Sequence, residues 1–146
     1  MIILAVLILA TLAFIWTESV KPVPESRAES QKIQKIITPV LELVVGKGNV
    51  TNHLVRKIAH FVEFGVFGLE LALWTVQRKK AVLWQNLLWI PVGVLAACLD
   101  EGIQALVGRG NQLSDVMLDL WGFFTGAAVC FVICLLCIRK KKKTET

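Results

Sequence analysis

Three ionisable side chains recur on one face of a predicted helix near the middle of the chain. Arg56, His60 and Glu63 stand four and then three positions apart, which places them on the same side of a helix. A histidine with a carboxylate can act as a general acid and base, and arginine binds phosphate or carboxylate groups through paired hydrogen bonds. His60 and Glu63 are therefore candidate catalytic residues, and Arg56 with the adjacent Lys57 is a candidate anion site.

A second polar group interrupts two long apolar runs at residues 100–115, DEGIQALVGRGNQLSD. Asp100 and Gln104 are one helical turn apart, and Glu101 follows Asp100 directly. Arg109 lies between two glycines, on a predicted turn. Carboxylate and amide oxygens bind divalent cations, whereas an arginine on such a turn is suited to an anion. The segment is therefore a candidate wall of a binding site.

A third polar group opens the last apolar run. Asp115 and Asp119 are one helical turn apart, and Gly122 and Gly126 continue the same face. Small residues at this spacing let two helices approach closely, which would bring the aspartates against a neighbouring helix. Asp115 also suits the first turn of a helix, where a carboxylate is favourable, but Asp119 lies too far along for that role.

Ionisable residues inside a membrane-spanning segment must be sheltered, because each one costs at least ~2.5 kcal/mol there. The three groups together contain more carboxylates than cations. Such an excess requires protonated carboxyls, a charged His60 or a bound divalent cation, and the residues alone do not choose among these. A structural set of ion pairs that fixes helix packing is the alternative to a functional site.

The composition indicates a membrane protein with a single domain over residues 1–146. Hydrophobic residues make up 55% of the chain and the mean hydropathy is +0.65, which is too apolar for an ordinary soluble domain. A membrane-spanning helix needs about 20 mainly apolar residues. The predicted fold is an all-α integral membrane protein with four transmembrane helices, the third of them kinked at Pro91. The predicted spans are residues 2–16, 54–76, 82–99 with a helical continuation to 107, and 115–138.

A polar segment, residues 17–53, connects the first two spans. Within it, apolar residues recur at helical spacing over residues 30–45. This pattern predicts a short amphipathic helix that lies at the membrane interface after the first span and bends at Pro39.

The distribution of charge predicts the topology. The formal net charge is +5, but half of the cations lie in two short runs, residues 78–80 and 139–143, at the ends of apolar segments. Such runs mark the cytoplasmic side of a membrane protein and do not indicate a nucleic-acid partner. Both termini are therefore predicted to be cytoplasmic, with residues 139–146 as a basic tail. The segments 17–53 and 100–114 then face outward, so the three polar groups should form one outward-facing pocket.

The four cysteines all lie inside apolar runs. Cys130, Cys134 and Cys137 share one helical face, but no histidine or carboxylate joins them there. We expect Cys98 and these three residues to be packing residues, with neither a metal nor a disulfide.

Four sequence blocks resemble the signatures of the VanZ-like family, small bacterial membrane proteins named after a protein of teicoplanin resistance. The blocks are RKIAHFVEF (56–64), DEGIQ (100–104), GRG (108–110) and DVMLDLWGFFTG (115–126), and the resemblance covers about residues 50–130. The chain departs from the family pattern at Ile103, where a histidine is common, and before Arg109, where a proline is common. The first departure leaves His60 as the sole buried candidate base.

The resemblance implies a multi-pass protein of the bacterial cell membrane that lowers susceptibility to a glycopeptide, teicoplanin. An outward-facing polar pocket would bind, and could modify, a lipid-linked or phosphorylated headgroup. His60 and Glu63 would be the acid and base in any reaction. Anion or headgroup binding is assigned to Arg56, Lys57, Gln104 and Arg109. A divalent cation, the one cofactor considered, is assigned to Asp100, Glu101, Asp115 and Asp119.

Two other classes of function stay open at this point. A small proton-coupled transporter would use His60 and Glu70 as a relay, and a structural subunit of a membrane complex would use the polar residues for packing alone. The expected partners are a membrane lipid or a lipid-linked cell-wall precursor, and a second copy of the chain. The sequence leaves open whether any reaction is catalysed.

Overall fold

The computed structural model describes residues 1–78, 88–109 and 112–144, and these residues contain α-helices and no strand. The helices are α1 (Ile2–Ser19), α2 (Val23–Val45), α3 (Asn52–Gln77), α4 (Trp89–Leu106) and α5 (Leu113–Thr144). Four of them are long and apolar enough to cross a membrane: α1, α3, α4 and the Leu113–Cys137 part of α5. The predicted all-α fold with four membrane-spanning helices is confirmed.

Helix α2 is longer than the sequence pattern indicated. It begins at Val23, seven residues before the predicted start, and it continues through Pro39 to Val45. Pro24 lies in the first turn, where a missing N–H leaves no hydrogen bond unmade, so the prolines of this segment do not delay the helix.

The third span differs from its prediction at its start. Residues 82–87 of that span lie outside the described residues, as do Lys79 and Lys80 of the basic run. In the described part, α4 begins at Trp89 and places Pro91 in its first turn, where proline does not kink a helix. Helix α4 ends at Leu106, so the DEGIQ segment is helical.

Helices α3 and α5 pack backbone against backbone. A Cβ added at Gly126 would collide with the carbonyl oxygen of Gly65, and one at Gly122 would collide with that of Phe61. Small residues are how helices gain close packing inside a membrane, where apolar burial alone does not drive association. Helices α1 and α4 complete a core of buried side chains: Ile15, Phe64, Phe67, Ala96, Ala97 and Phe123.

The two sides of α2 differ in what they face. Its buried residues are Ser26 and Ser30, on the side that packs against the bundle. Ile36, Val40 and Leu43 are largely exposed. A helix with an exposed apolar side of this kind is typical of the membrane interface.

Candidate functional site

The ends of four helices meet at one end of the bundle. The hydroxyl of Ser19, the last residue of α1, donates a hydrogen bond to Asp100 of α4. Lys57 near the start of α3 pairs with Asp115 in the first turn of α5, with 3.1 Å between Nζ and Oδ1. The polar groups of three separate sequence segments therefore lie in one region, together with the end of α1.

Asp100 is the most enclosed carboxylate of this region, with no exposed surface. Ser19 donates to its Oδ1, and Gln104 donates to its Oδ2 over 2.7 Å. The second bond follows from the spacing of four residues along α4, whereas the first joins residues that are far apart in sequence. Two hydrogen bonds fix the orientation of this carboxylate.

His60 of α3 lies between two aspartates. Its Nδ1 is 3.6 Å from Oδ2 of Asp100 and 3.7 Å from Oδ1 of Asp119. Both separations exceed the length of a hydrogen bond, about 3.2 Å at most. The close contact of α3 with α5 at Gly122 brings Asp119 to this position, one helical turn before the glycine.

The predicted acid and base are not joined to each other. His60 has its charged neighbours in Asp100 and Asp119, and within the described residues it forms no hydrogen bond with Glu63. Glu63 faces a cavity beside α1 and α2. Both side chains line this cavity, but only His60 also lies beside the two aspartates.

The four carboxylates assigned to a cation are divided by the structure. Asp100 and Asp119 lie with His60. Asp115 is paired with Lys57, and Oε2 of Glu101 accepts a hydrogen bond from the backbone N–H of Gln112 over 3.3 Å. These two acids therefore have partners of their own.

Arg109 caps the end of α1. Its Nη1 donates to the carbonyl oxygen of Glu18 over 3.0 Å and to that of Ser19 over 3.4 Å. Partial burial, followed by the nearby charge of Arg56, lowers the pKa of Arg109. Its Nε is buried and has no partner among the described residues. The guanidinium of Arg109 is thus in part structural.

Arg56 lines the site without a fixed partner. It is partly buried, and no described residue forms a hydrogen bond or an ion pair with it. It lines two neighbouring cavities, of about 390 Å³ and about 160 Å³, that also share His60 and Arg109.

The larger cavity lies between α1, α2 and α3. Its charged lining comprises four cations, Lys21, Lys32, Arg56 and Arg109, and three carboxylates, Glu18, Glu29 and Glu63. Sequence reasoning missed the part contributed by α1 and α2. The signal that could have revealed it was the three-residue spacing of Glu18 and Lys21 beside a predicted helix end.

Lys21 is held by two carboxylates on this wall. Its Nζ lies 2.7 Å from Oε1 of Glu18 and 2.7 Å from Oε2 of Glu29. Hydrogen bonds to these groups raise the pKa of Lys21, and the bond from Lys21 lowers the pKa of Glu29. Lys21 therefore stays charged and engaged at neutral pH.

An apolar groove of about 330 Å³ continues from the larger cavity between α1 and α3. Phe14 and Glu63 line both spaces. Beyond them, the groove is lined by Ala10, Thr11, Val62 and Val66.

Glu70 lies away from the site, two turns further along α3 than Glu63. Thr11 of α1 donates a hydrogen bond to its Oε1 over 3.1 Å. Glu70 is buried, and this bond links α1 to α3 in the middle of the bundle.

A protein-family model described as VanZ/LLP1 matches residues 1–136, which include every residue of the site. No curated protein and no solved structure matches the chain.

Proposed function

Because this chain belongs to the VanZ/LLP1 family, which is linked to glycopeptide resistance, we propose that its polar cavity binds the phosphorylated headgroup of a membrane lipid. The observation that carries the proposal is the unpaired guanidinium of Arg56 in the wall of the cavity. Arginine binds phosphate through two parallel hydrogen bonds, and partial burial strengthens such bonds.

The charge of the cavity favours an anion. Lys21 is occupied by Glu18 and Glu29, which leaves Arg56, Lys32 and Arg109 against the carboxylate of Glu63. The volume of about 390 Å³ lies within the range of small-molecule sites. A phosphate with a small glycerol or sugar group has the size and charge that this cavity accepts.

The adjoining groove favours a lipid over a free phosphate. An acyl or isoprenoid chain would lie along Ala10, Val62 and Val66 while the phosphate reaches Arg56. Phe14 and Glu63 mark the junction between the two parts of the ligand.

In the orientation that we propose, both termini are cytoplasmic and the cavity faces the outer leaflet of the bacterial cell membrane. The basic runs at residues 78–80 and 139–143 support this orientation. Alkaline phosphatase, which is active only outside the cytoplasm, should be inactive when fused to the C-terminus and active when inserted at residues 46–48. The opposite result would reverse the orientation.

Isothermal titration of the detergent-purified protein with dioctanoyl phosphatidic acid tests the headgroup. Arg56→Gln should weaken binding about tenfold or more, because a hydrogen bond to a charged group contributes about 1.5–3 kcal/mol. Arg78→Gln is the matched control, since Arg78 lies at the other end of α3 over the Trp74 ring. Equal binding of dioctanoylglycerol, which lacks the phosphate, or unchanged binding by the Arg56 variant would overturn the proposal.

A second pair of variants separates a lipid from a free anion. Val66→Trp fills the groove and should weaken phosphatidic acid binding without affecting glycerol phosphate. Val94→Trp makes the same change at an exposed position of α4 and should have no effect. If inorganic phosphate binds as tightly as phosphatidic acid, the ligand is a soluble anion and the groove has another use.

A further inference from the structure

We propose that His60, Asp100 and Asp119 form a binding site for a divalent transition-metal cation of the Zn²⁺ or Mn²⁺ type. The site borders the headgroup cavity, which His60 also lines. The inference holds whether or not the cavity binds a lipid, because it rests on the geometry of these three side chains.

The spacing of the three side chains fits ligands of one ion. One ligand atom from each residue lies within 4.8 Å of the others, and the two measured separations from His60 Nδ1 are 3.6 Å and 3.7 Å. Ligands held about 2.1 Å from an ion lie roughly 3.0–3.4 Å apart at right-angled or tetrahedral coordination. The two distances from His60 exceed hydrogen-bond length and need to contract by a few tenths of an ångström around a cation. The ligand oxygens of Asp100 and Asp119, which lie within 4.8 Å of each other, must also draw together.

Two atoms of the group lack the partners that buried polar atoms normally have. Asp119 is 1% exposed, and its Oδ2 has no hydrogen-bond partner among the described residues. The same holds for Nδ1 of His60. Buried polar atoms are almost always satisfied, and a cation bound by His60 Nδ1 and by the carboxylate of Asp119 would supply the missing partners.

Asp100 is already oriented as a ligand. Its carboxylate accepts hydrogen bonds from Ser19 and Gln104, one on each oxygen. Each carboxylate oxygen has a second lone pair, so Oδ2 can bind a cation while it accepts from Gln104. Hydrogen bonds that fix a ligand in this way are a regular feature of metal sites.

The charges and ligand types indicate the class of ion. Two carboxylates and a neutral imidazole balance the charge of a divalent cation. One nitrogen and two oxygen ligands suit Zn²⁺ or Mn²⁺, whereas Mg²⁺ and Ca²⁺ prefer oxygen alone. Without an ion, the excess of acid needs either a protonated carboxyl or a protonated His60, and the latter would leave one positive charge against two negative ones.

The smaller cavity provides access. It is lined by His60 and Asp119 and has a volume of about 160 Å³. Water molecules in this space would complete the coordination of the ion. Of the cations on its wall, Lys57 is paired with Asp115 and Arg109 is bonded to the end of α1, whereas Arg56 has no partner among the described residues.

Metal stoichiometry tests the site directly. Protein without a polyhistidine tag is treated with EDTA, dialysed against Zn²⁺ or Mn²⁺, and analysed by mass spectrometry for metal per chain. We expect one ion per chain, and at least about 100-fold weaker binding in His60→Gln and Asp119→Asn. His53→Gln is the matched control that should keep the ion, since His53 is exposed.

The proposal is overturned if the wild-type protein binds no ion, or if the ion persists in both cluster variants. X-ray absorption of the zinc-loaded wild-type protein gives a test that needs no substitution. The expected shell contains nitrogen and oxygen at about 2.0–2.1 Å, and sulfur at about 2.3 Å would place the ion at Cys130 and Cys134 instead. Titration of EDTA-treated protein with phosphatidic acid measures headgroup binding without the ion. Failure of the metal site can therefore be distinguished from failure of the headgroup site.

Discussion

Asp100 shows how one buried side chain joins three helices. It belongs to α4, accepts from Ser19 of α1, and faces His60 of α3. An aspartate with no exposed surface is unfavourable in an apolar interior unless its oxygens are satisfied. The hydroxyl of Ser19 and the amide of Gln104 meet that requirement.

Ser19→Ala removes a single hydroxyl group but should clearly destabilise the protein. Removal of the hydroxyl leaves Oδ1 of Asp100 buried without this donor, which costs about 1–3 kcal/mol and lowers the melting temperature by several degrees. Thr17→Val removes the neighbouring hydroxyl, which is exposed and donates only to the carbonyl of Ala13, so it should have little effect. Thermal unfolding in detergent compares the two variants, and equal melting temperatures would contradict the assigned role of Ser19.

Residue spacing predicted some members of this region and missed others. His60 and Asp119 could be found because each is an ionisable residue within an apolar span, where an unsheltered charge is energetically unfavourable. Ser19 could not, because serine at the end of a helix is ordinary and its partner lies 81 residues away. Arg109 was found as a cation, but its bonds to the carbonyl oxygens of α1 depend on tertiary structure.

At the scale of elements, the contact of α3 with α5 determines the geometry of the site. The carbonyl oxygen of Gly65 occupies the space that a side chain at Gly126 would need. Because the two backbones touch, the distance between His60 and Asp119 is set by main-chain packing rather than by flexible side chains.

Gly126→Ala should therefore separate α3 from α5. The added methyl group meets backbone that cannot rotate away, and such overpacking costs about 1–3 kcal/mol. Gly102→Ala is the matched control in α4, because a Cβ at that position has nothing within 4 Å. The control should be neutral or slightly stabilising, since alanine is the better helix former. Melting temperatures in detergent test this pair, and a Gly126 variant as stable as the wild type would refute the packing argument.

The elements themselves were predictable to different degrees. Long apolar runs indicated the membrane-spanning helices because length and hydropathy are sufficient to recognise them. The start of α2 was predicted too late, because the apolar residues recur at helical spacing only from residue 30 onward. Pro91 was predicted to kink a helix because the apolar run does not reveal that this residue lies in a first turn.

At the scale of the whole molecule, membership of the VanZ/LLP1 family links this protein to glycopeptide resistance at the level of the family. On the proposed function, the wild-type protein protects a susceptible bacterial host from teicoplanin, and Arg56→Gln should abolish that protection because the proposed headgroup loses its arginine. Arg78→Gln should protect as well as the wild type. The minimal inhibitory concentration is the measurement, with membrane levels matched by immunoblotting. Protection that survives in the Arg56 variant would separate the cavity from resistance.

The bonds at the end of α1 also determine when the site can exist during synthesis. The carbonyl oxygen of Glu18 accepts a hydrogen bond from Arg109, which lies 91 residues later in the sequence. The hydroxyl of Ser19 donates to Asp100, 81 residues later. Helix α1 is synthesised before α4 and α5, so its terminal carbonyl groups and the Ser19 hydroxyl have no partners until Asp100 and Arg109 have been made. Helices enter a bilayer separately and associate afterwards. The candidate site can therefore assemble only after α4 and α5 have been made. We expect a chain that stops before residue 109 to insert its helices without forming the site.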